Sequence, residues 1–101
     1  MKRVPIVYLR KAQEDLLGIA AYVQKDNPSK AGQWLKNVDR SLGRLTLFPQ
    51  SGVTPKDEFL AVMGYRIVVI GSYLAFYLFQ GGQIRICRVL HGKQRYSFLL
   101  R

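Results

Sequence analysis

The chain has 101 residues, of which 49% are hydrophobic, and it carries sixteen Lys and Arg against six Asp and Glu. This length indicates a single domain, residues 1–101, with one core, and the hydrophobic share excludes a disordered chain. The net charge of +10 favours a partner that is a polyanion, such as a nucleic acid or an acidic protein. No acidic residue follows Glu58, so the C-terminal part of the chain is uniformly basic.

Several other classes of protein are excluded. No apolar run reaches the ~18–20 residues that cross a bilayer, and residues 1–5 show none of the features of a signal peptide, so we expect none. We therefore expect a cytoplasmic protein that does not bind membranes. One cysteine (Cys87) and one histidine (His91) rule out a disulfide framework and a cysteine-based zinc site, so we expect neither a metal nor a cofactor.

The first part of the chain predicts a strand followed by a helix. Residues 4–9 form a short segment rich in β-branched side chains, which favours a strand. Pro5 indicates either that this strand lies at an edge of the sheet or that the proline is at the start of the strand. Residues 11–25 predict a helix. The apolar positions at helical spacing are Leu16, Leu17, Ala20 and Val23.

A second helix follows after a short interruption. Asn27 is suited to cap it and Pro28 to occupy its first position. Its apolar stripe is Ala31, Leu35, Val38, Leu42 and Leu45. The helix ends near Phe48, and residues 50–58 predict a loop. Because the connection between the two helices is so short, they must form an antiparallel hairpin.

The second half of the chain changes to the two-residue period of strands. Strands are predicted over residues 65–70, 73–79 and 83–90, and glycine-containing pairs at 71–72 and 81–82 predict the turns between them. The prediction is therefore an α+β fold of order β-α-α-β-β-β. In it, an N-terminal strand and an antiparallel helical hairpin accompany a mainly antiparallel sheet.

The first turn fixes which strand residues share a face of the sheet. The face predicted to pack against the helices carries Tyr65, Ile67, Val69, Leu74, Phe76 and Leu78. The face predicted to be open carries Arg66, Val68, Ile70, Tyr73, Ala75 and Tyr77. The register of the last strand is left open: Arg88 lies beside Ala75, or Arg85 lies beside Tyr77, or a β-bulge satisfies both.

A basic and aromatic surface follows from this assignment. Arg66, together with Arg85 or Arg88, would lie near Tyr73 and Tyr77 on the open face. Cations and aromatic rings bind phosphates and stack on bases, and the same cations would also fit an acidic protein. The alternative is that these residues are ordinary exposed cross-strand pairs.

The segment after the last strand contains groups that RNA cleavage requires. His91 is suited to carry a proton, Lys93 and Arg95 supply charge, and Tyr96 supplies a phenol. Cleavage to a cyclic phosphate needs a base, an acid and cations for the phosphorane. The alternative is that His91 belongs to a turn that ends the strand and bonds nearby backbone.

Three stretches give the chain a family resemblance: residues 65–67 (YRI), 71–77 (GSYLAFY) and 84–92 (IRICRVLHG). Together with the order of elements, they resemble the ParE/RelE superfamily of bacterial type II toxins, also called plasmid stabilisation proteins. The resemblance implies a small basic toxin that is neutralised by an acidic, partly disordered antitoxin encoded beside it. It also implies a toxin–antitoxin hetero-oligomer.

Two branches of that superfamily differ in chemistry. RelE-like members cut mRNA in the ribosomal A site, whereas ParE-like members poison DNA gyrase and are not nucleases. The RelE pattern has arginine after the tyrosine that opens the second meander strand, where this chain has Leu74. It has another arginine two residues after the glycine, where this chain has Gln94. The resemblance therefore implies a ParE-like, non-catalytic inhibitor of DNA gyrase.

These considerations define two sets of candidate residues. The predicted partner-binding residues are Arg66, Tyr73, Tyr77, Arg85, Arg88, Lys93 and Arg95. The alternative is a RelE-like endoribonuclease that acts on the ribosome and mRNA. Its catalytic candidates are Arg66, Arg85, Arg88, His91 and Tyr96.

Overall fold

A computed structural model describes residues 2–100, apart from the side chains of Ser97 and Phe98. Its elements are β1 (Ile6–Tyr8), α1 (Arg10–Asp26), α2 (Pro28–Leu47), α3 (Glu58–Val62), β2 (Arg66–Ile70), β3 (Tyr73–Gln80), β4 (Gln83–His91) and α4 (Tyr96–Leu100). The strand order is β1-β4-β3-β2. β1 pairs parallel with β4 and the other pairs are antiparallel, which confirms the predicted α+β fold. Within residues 2–100, no helix combines the length and the apolar composition that a membrane crossing requires.

The helical hairpin forms at the residues that the sequence indicated. Asn27 is extended, and its side chain accepts a hydrogen bond from the backbone N–H of Ser29 at 3.1 Å. Pro28 occupies the first position of α2, where its missing N–H costs nothing because that donor has no intrahelical partner. The same residue that ends α1 therefore starts α2, which makes the turn between them tight.

The buried sides of the two helices differ from the predicted stripes at two positions. Leu17 and Leu35 are exposed, whereas Ile19 and Trp34 pack against the core. The remaining buried positions of α2 agree with the prediction. One step along a helix turns a side chain by about 100°, so an assignment that is wrong by one residue moves a leucine from the core to the surface.

The helices cover the sheet face that was predicted to be open, so that prediction is wrong. α1 and α2 pack on a face formed by Ile70, Ala75, Tyr77, Ile84, Ile86 and Val89. The opposite face is also covered, because Leu60 of α3 and Tyr96 and Leu100 of α4 pack around Ile67 and Phe76. Both faces of the sheet are apolar, and the alternation of residues therefore does not distinguish them.

The pairing of β3 with β4 contains a β-bulge at Cys87, but it produces neither of the two pairings that were left open for the arginines. On one side of it Arg85 lies opposite Leu78, and on the other Arg88 lies opposite Phe76. Arg88 does not lie beside Ala75, because the bulge shifts the register by one residue. Arg85 does not lie beside Tyr77, because Gln80 pairs with Gln83 and the turn therefore contains only Gly81 and Gly82. Cys87 is buried, and desolvation raises the pKa of its thiol.

The loop between α2 and α3 is held by two side chains of the sheet. The Tyr77 hydroxyl donates to the carbonyl of Pro49 and accepts from the N–H of Gly52, both at 2.9 Å. The Arg66 guanidinium donates to the carbonyls of Gln50 at 3.0 Å and Gly52 at 3.1 Å. A Cβ at Gly52 would lie 2.5 Å from the Tyr77 hydroxyl oxygen, so this close approach requires glycine.

We expect Tyr77→Phe to lower the free energy of unfolding by about 1–3 kcal/mol, because it leaves the bonded loop groups without their partner. Thermal and urea denaturation measure the change. Tyr22→Phe is the matched control, because Tyr22 is exposed and its hydroxyl makes no hydrogen bond within residues 2–100. Equal stability of the two variants would contradict the assigned role of the Tyr77 hydroxyl.

Candidate partner-binding surface

The three candidate arginines lie in three different environments. Arg66 donates to the carbonyls of the loop between α2 and α3. Arg88 forms a two-point ion pair with Asp15, with Nε–Oδ2 at 2.7 Å and Nη2–Oδ1 at 3.0 Å. Arg85 is exposed and lies opposite Leu78 on the α4 side of the sheet. The prediction that these arginines gather on one open sheet face is therefore wrong.

Asp15 closes an edge of the sheet. β1 pairs with β4 only as far as Tyr8, so the rest of that edge of β4 has no neighbouring strand. There the Asp15 carboxylate accepts the backbone N–H of Val89 at 3.0 Å in addition to the guanidinium of Arg88. The two side chains are only 16% and 15% exposed, and the hydrogen bond to Asp15 raises the pKa of Arg88. Arg88 is therefore neutralised within the chain.

His91 belongs to the turn that ends β4, as the alternative interpretation held. The ring Nδ1 of His91 accepts a hydrogen bond from the backbone N–H of Lys93 at 3.1 Å. The backbone N–H of His91 donates to Oε1 of Gln94 at 2.8 Å. The neutral ring therefore carries its proton on Nε2. The imidazole packs edge-on against Tyr73, with ring centroids 5.3 Å apart, and Tyr73 in turn contacts Trp34 at 5.5 Å.

A groove of about 560 Å³ lies between α1 and the end of the sheet. We name it the β4 groove. Its lining includes Tyr22, Tyr73 and His91, and its charged residues are Glu14, Asp15 and Arg88. Two carboxylates and one guanidinium leave this groove with net negative charge, in contrast to the chain as a whole.

The remaining candidate residues do not join this groove. Lys93 and Arg95 are exposed in the segment between β4 and α4. Tyr96 packs against Phe76, with ring centroids 4.9 Å apart, in the second cluster of the core. Tyr77 is fully buried, so the prediction that its ring is available for stacking is wrong. Among residues 2–100, no three His, Cys, Asp or Glu side chains are placed to hold a metal ion.

A basic surface that the predicted site omitted lies on α2. We name Lys36, Arg40 and Arg44 the α2 basic row, because residues four apart lie on the same side of a helix. All three are exposed, and none forms an ion pair with a carboxylate of the described residues. Asp39 forms no ion pair with these three residues; desolvation, and then the charge of Asp39, raises the pKa of the Tyr8 phenol. The four-residue spacing is the sequence signal that could have identified the row.

Solved structures that share this fold include chains from two toxin-antitoxin systems. A chain of the chromosomal ParDE TA system from P. aeruginosa has a TM-score of 0.73 and 22% identity, over 88% of this chain and 96% of that chain. A chain of the toxin-antitoxin complex RelBE2 from Mycobacterium tuberculosis has a TM-score of 0.59 and 23% identity, over 88% of this chain and 98% of that chain. The domain therefore has the fold of the ParE/RelE class of toxins.

The sequence places the chain more narrowly within that class. The profile of the family described as "ParE toxin of type II toxin-antitoxin system, parDE" matches residues 6–96. The chain therefore belongs to the ParE toxin family of type II toxin–antitoxin systems, which confirms the resemblance noted in the sequence. A search of curated proteins found no significant match. The structural relatives include both ParDE and RelBE chains, so they do not identify the target of the toxin.

We expect Asp15→Asn to lower the free energy of unfolding by about 1.5–3 kcal/mol, because it removes a half-buried charge-assisted contact. Denaturant unfolding measures the change. Glu14→Gln is the neighbouring control, since Glu14 is 64% exposed and its pair with Arg10 is long, at 3.7 Å. Such an exposed pair contributes at most about 1 kcal/mol. If the two variants lost the same stability, Asp15 would not be the residue that closes this edge.

Proposed function

We propose that this chain is a gyrase-directed toxin that acts by binding alone, and that an acidic antitoxin neutralises it. Membership of the ParE family and the net charge of +10 support this proposal. Binding an acidic protein requires exposed cations but no chemistry. Arg85, Lys93, Arg95 and the α2 basic row supply such cations.

The observation that carries the proposal concerns the candidate groups for RNA cleavage. They lie far from one another, and most of them already bond to other groups of the chain. Arg88 is paired with Asp15, Arg66 is bonded to loop carbonyls, and Nδ1 of His91 holds the backbone of its own turn. Arg85 and His91 are six residues apart on β4, which is about 20 Å along an extended strand. A base and the cations that stabilise a phosphorane must instead surround one phosphate.

The charge of the β4 groove supports the same conclusion. It is the groove that contains His91, and its two carboxylates outnumber its one guanidinium. A phosphodiester that entered it would meet net repulsion at the place where its transition state needs positive charge. This electrostatic pattern favours a binding toxin over a ribonuclease.

One observation favours the alternative, a ribosome-dependent endoribonuclease that acts on mRNA. His91 lines the β4 groove, and its Nε2 makes no hydrogen bond within residues 2–100. The Nε2–H is therefore free to donate a hydrogen bond to an oxygen of a bound phosphodiester. The two functions differ in target and in product, so one pair of assays separates them.

We expect the purified chain to stabilise cleavage complexes of DNA gyrase on supercoiled plasmid and to leave translated mRNA intact. Linearised plasmid after denaturation measures the first effect, and primer extension on mRNA from a translating extract measures the second. Codon-phased mRNA cuts without linear plasmid would replace the proposal with the ribonuclease. Normal growth of cells that express the chain alone would indicate an inert relative.

We expect His91→Asn to retain the full effect on gyrase. The asparagine amide preserves an acceptor for the N–H of Lys93 but does not exchange a proton near neutral pH. If His91 were a general acid or base, its loss would reduce mRNA cleavage by about 100-fold or more. Circular dichroism of the variant provides the folding control.

A further inference from the structure

The exterior of α2 carries a groove of about 470 Å³. Six residues line it: Ser29, Gly32, Gln33, Lys36, Asn37 and Arg40. They recur at intervals of three and four residues, so they lie on one side of the helix. The buried Val38 is two residues from both Lys36 and Arg40, which is about 200° around the helix. The groove therefore lies opposite the core and faces solvent.

Positive charge runs from this groove along the α2 basic row. Lys36 and Arg40 line the groove, and Arg44 lies about one turn further along the helix. From Lys36 to Arg44 the row extends about 12 Å. Among the residues that the structure describes, no carboxylate lines the groove, and Asp39, the acidic residue of α2, forms no ion pair with the row. The charge of the row is therefore available to an anionic ligand.

The lining of the groove fits a nucleic acid backbone better than a protein. Apolar and aromatic side chains are concentrated at the centre of protein interfaces, and within residues 2–100 no side chain of either kind lines this groove. Phosphate and sugar oxygens are instead bound by lysine, arginine, serine, asparagine and glutamine, which are the side chains present here. A second copy of this chain would bring a further net charge of +10, which opposes self-association.

The row favours a duplex over a single strand. Single-stranded nucleic acids are held largely by stacking of their bases on aromatic rings. The aromatic residue within α2 is Trp34, and it packs against the core. A duplex presents one phosphate of each strand for every ~3.4 Å of its axis. About three or four successive phosphates of one strand therefore fall within the ~12 Å length of the row.

We propose that the α2 basic row and the groove beside it bind the phosphate backbone of duplex DNA. The three cations bind phosphates of one strand, and the polar side chains of the groove bond phosphate and sugar oxygens. Such contacts carry no sequence information, so binding is independent of sequence. The choice of DNA over duplex RNA rests on the proposed function, because gyrase acts on duplex DNA. Arg85, Lys93 and Arg95 lie on other elements of the chain and remain for the acidic antitoxin.

The salt dependence of DNA binding tests the inference. The purified chain is titrated into a short fluorescently labelled DNA duplex at several salt concentrations, and anisotropy measures binding. Each phosphate contact contributes about −0.9 to the slope of log K against log salt concentration. The triple variant Lys36→Gln/Arg40→Gln/Arg44→Gln should therefore have a slope that is less steep by about 2.7, and its affinity at about 0.1 M salt should fall at least tenfold. Glutamine keeps a high helix propensity, and circular dichroism provides the folding control.

A matched control removes the same charge from scattered positions. Lys11, Lys25 and Lys56 are exposed and form no ion pair within the described residues. The variant Lys11→Gln/Lys25→Gln/Lys56→Gln has the same net charge as the row variant and should retain most of the slope and of the affinity. Equal losses in the two triple variants would show that DNA meets the diffuse charge of the chain, and would overturn the inference.

Competitors identify the class of ligand. Poly-L-glutamate should displace the DNA only at a concentration of charge that is at least about tenfold higher, because duplex phosphates form the denser array of charge. Displacement at equal charge would identify an acidic protein as the occupant and contradict the inference. Tighter binding of the corresponding RNA duplex, or of one separated DNA strand, would contradict duplex DNA as the ligand.

The gyrase assay distinguishes failure of this inference from failure of the proposed function. If the unmodified chain stabilises gyrase cleavage complexes but does not bind DNA through the row, the inference is overturned and the proposed function stands. If the chain binds DNA through the row but has no effect on gyrase, the DNA site stands and the proposed function is overturned. Absence of both activities would overturn both.

Discussion

The constraint on which the rest of the structure depends is that the sheet is apolar on both faces. A sheet of this kind has to be covered on both sides, because exposed apolar faces of this size are unstable in water. The helical hairpin covers one side, and the two short helices cover the other. Neither face of the sheet is then available to a partner. What remains for recognition is the exterior of the helices and the edges of the sheet.

Because both faces of the sheet are covered, two of its arginines are bonded within the chain instead of facing a partner. Arg66 and Arg88 lie close to the core, where an unpaired charge would be costly, and both are bonded within the chain. Arg66 holds the loop that follows α2, and Arg88 joins β4 to α1 through Asp15. Their positive charge therefore contributes to the stability of the domain. Positive charge that is free to meet a partner is present on Arg85, on the segment after β4 and on the α2 basic row, as well as on other exposed lysines of the helices.

The sequence was sufficient to predict the order of elements, the helical hairpin and the register of the first β-turn. Local signals determine these features: the cap at Asn27, the proline after it and the two-residue turn after Ile70. The sequence was not sufficient to assign the covered face, because residues 65–78 lack the polar alternation that marks an exposed face. α3 is only five residues long, too short for a helical period to be recognised.

The candidate site was less predictable than the fold for a related reason. Arg88 is 73 residues from Asp15 in the sequence, and no local pattern indicates that pairing. The sequence around Tyr77 is typical of an exposed aromatic residue. Its burial depends on the loop between α2 and α3, whose backbone groups bond its hydroxyl. Sequence patterns identify residue types, whereas the role of an arginine or a tyrosine depends on contacts that only the fold creates.

The central claim is that this basic domain binds macromolecules and performs no chemistry on RNA. The most direct test adds the purified chain to ribosomes paused on a defined mRNA with an empty A site, because the alternative nuclease acts only there, and then analyses the ends of the mRNA. The account predicts intact mRNA at every concentration of the chain. Cleavage within the A-site codon that leaves a cyclic phosphate, and that is lost in His91→Asn, would contradict it.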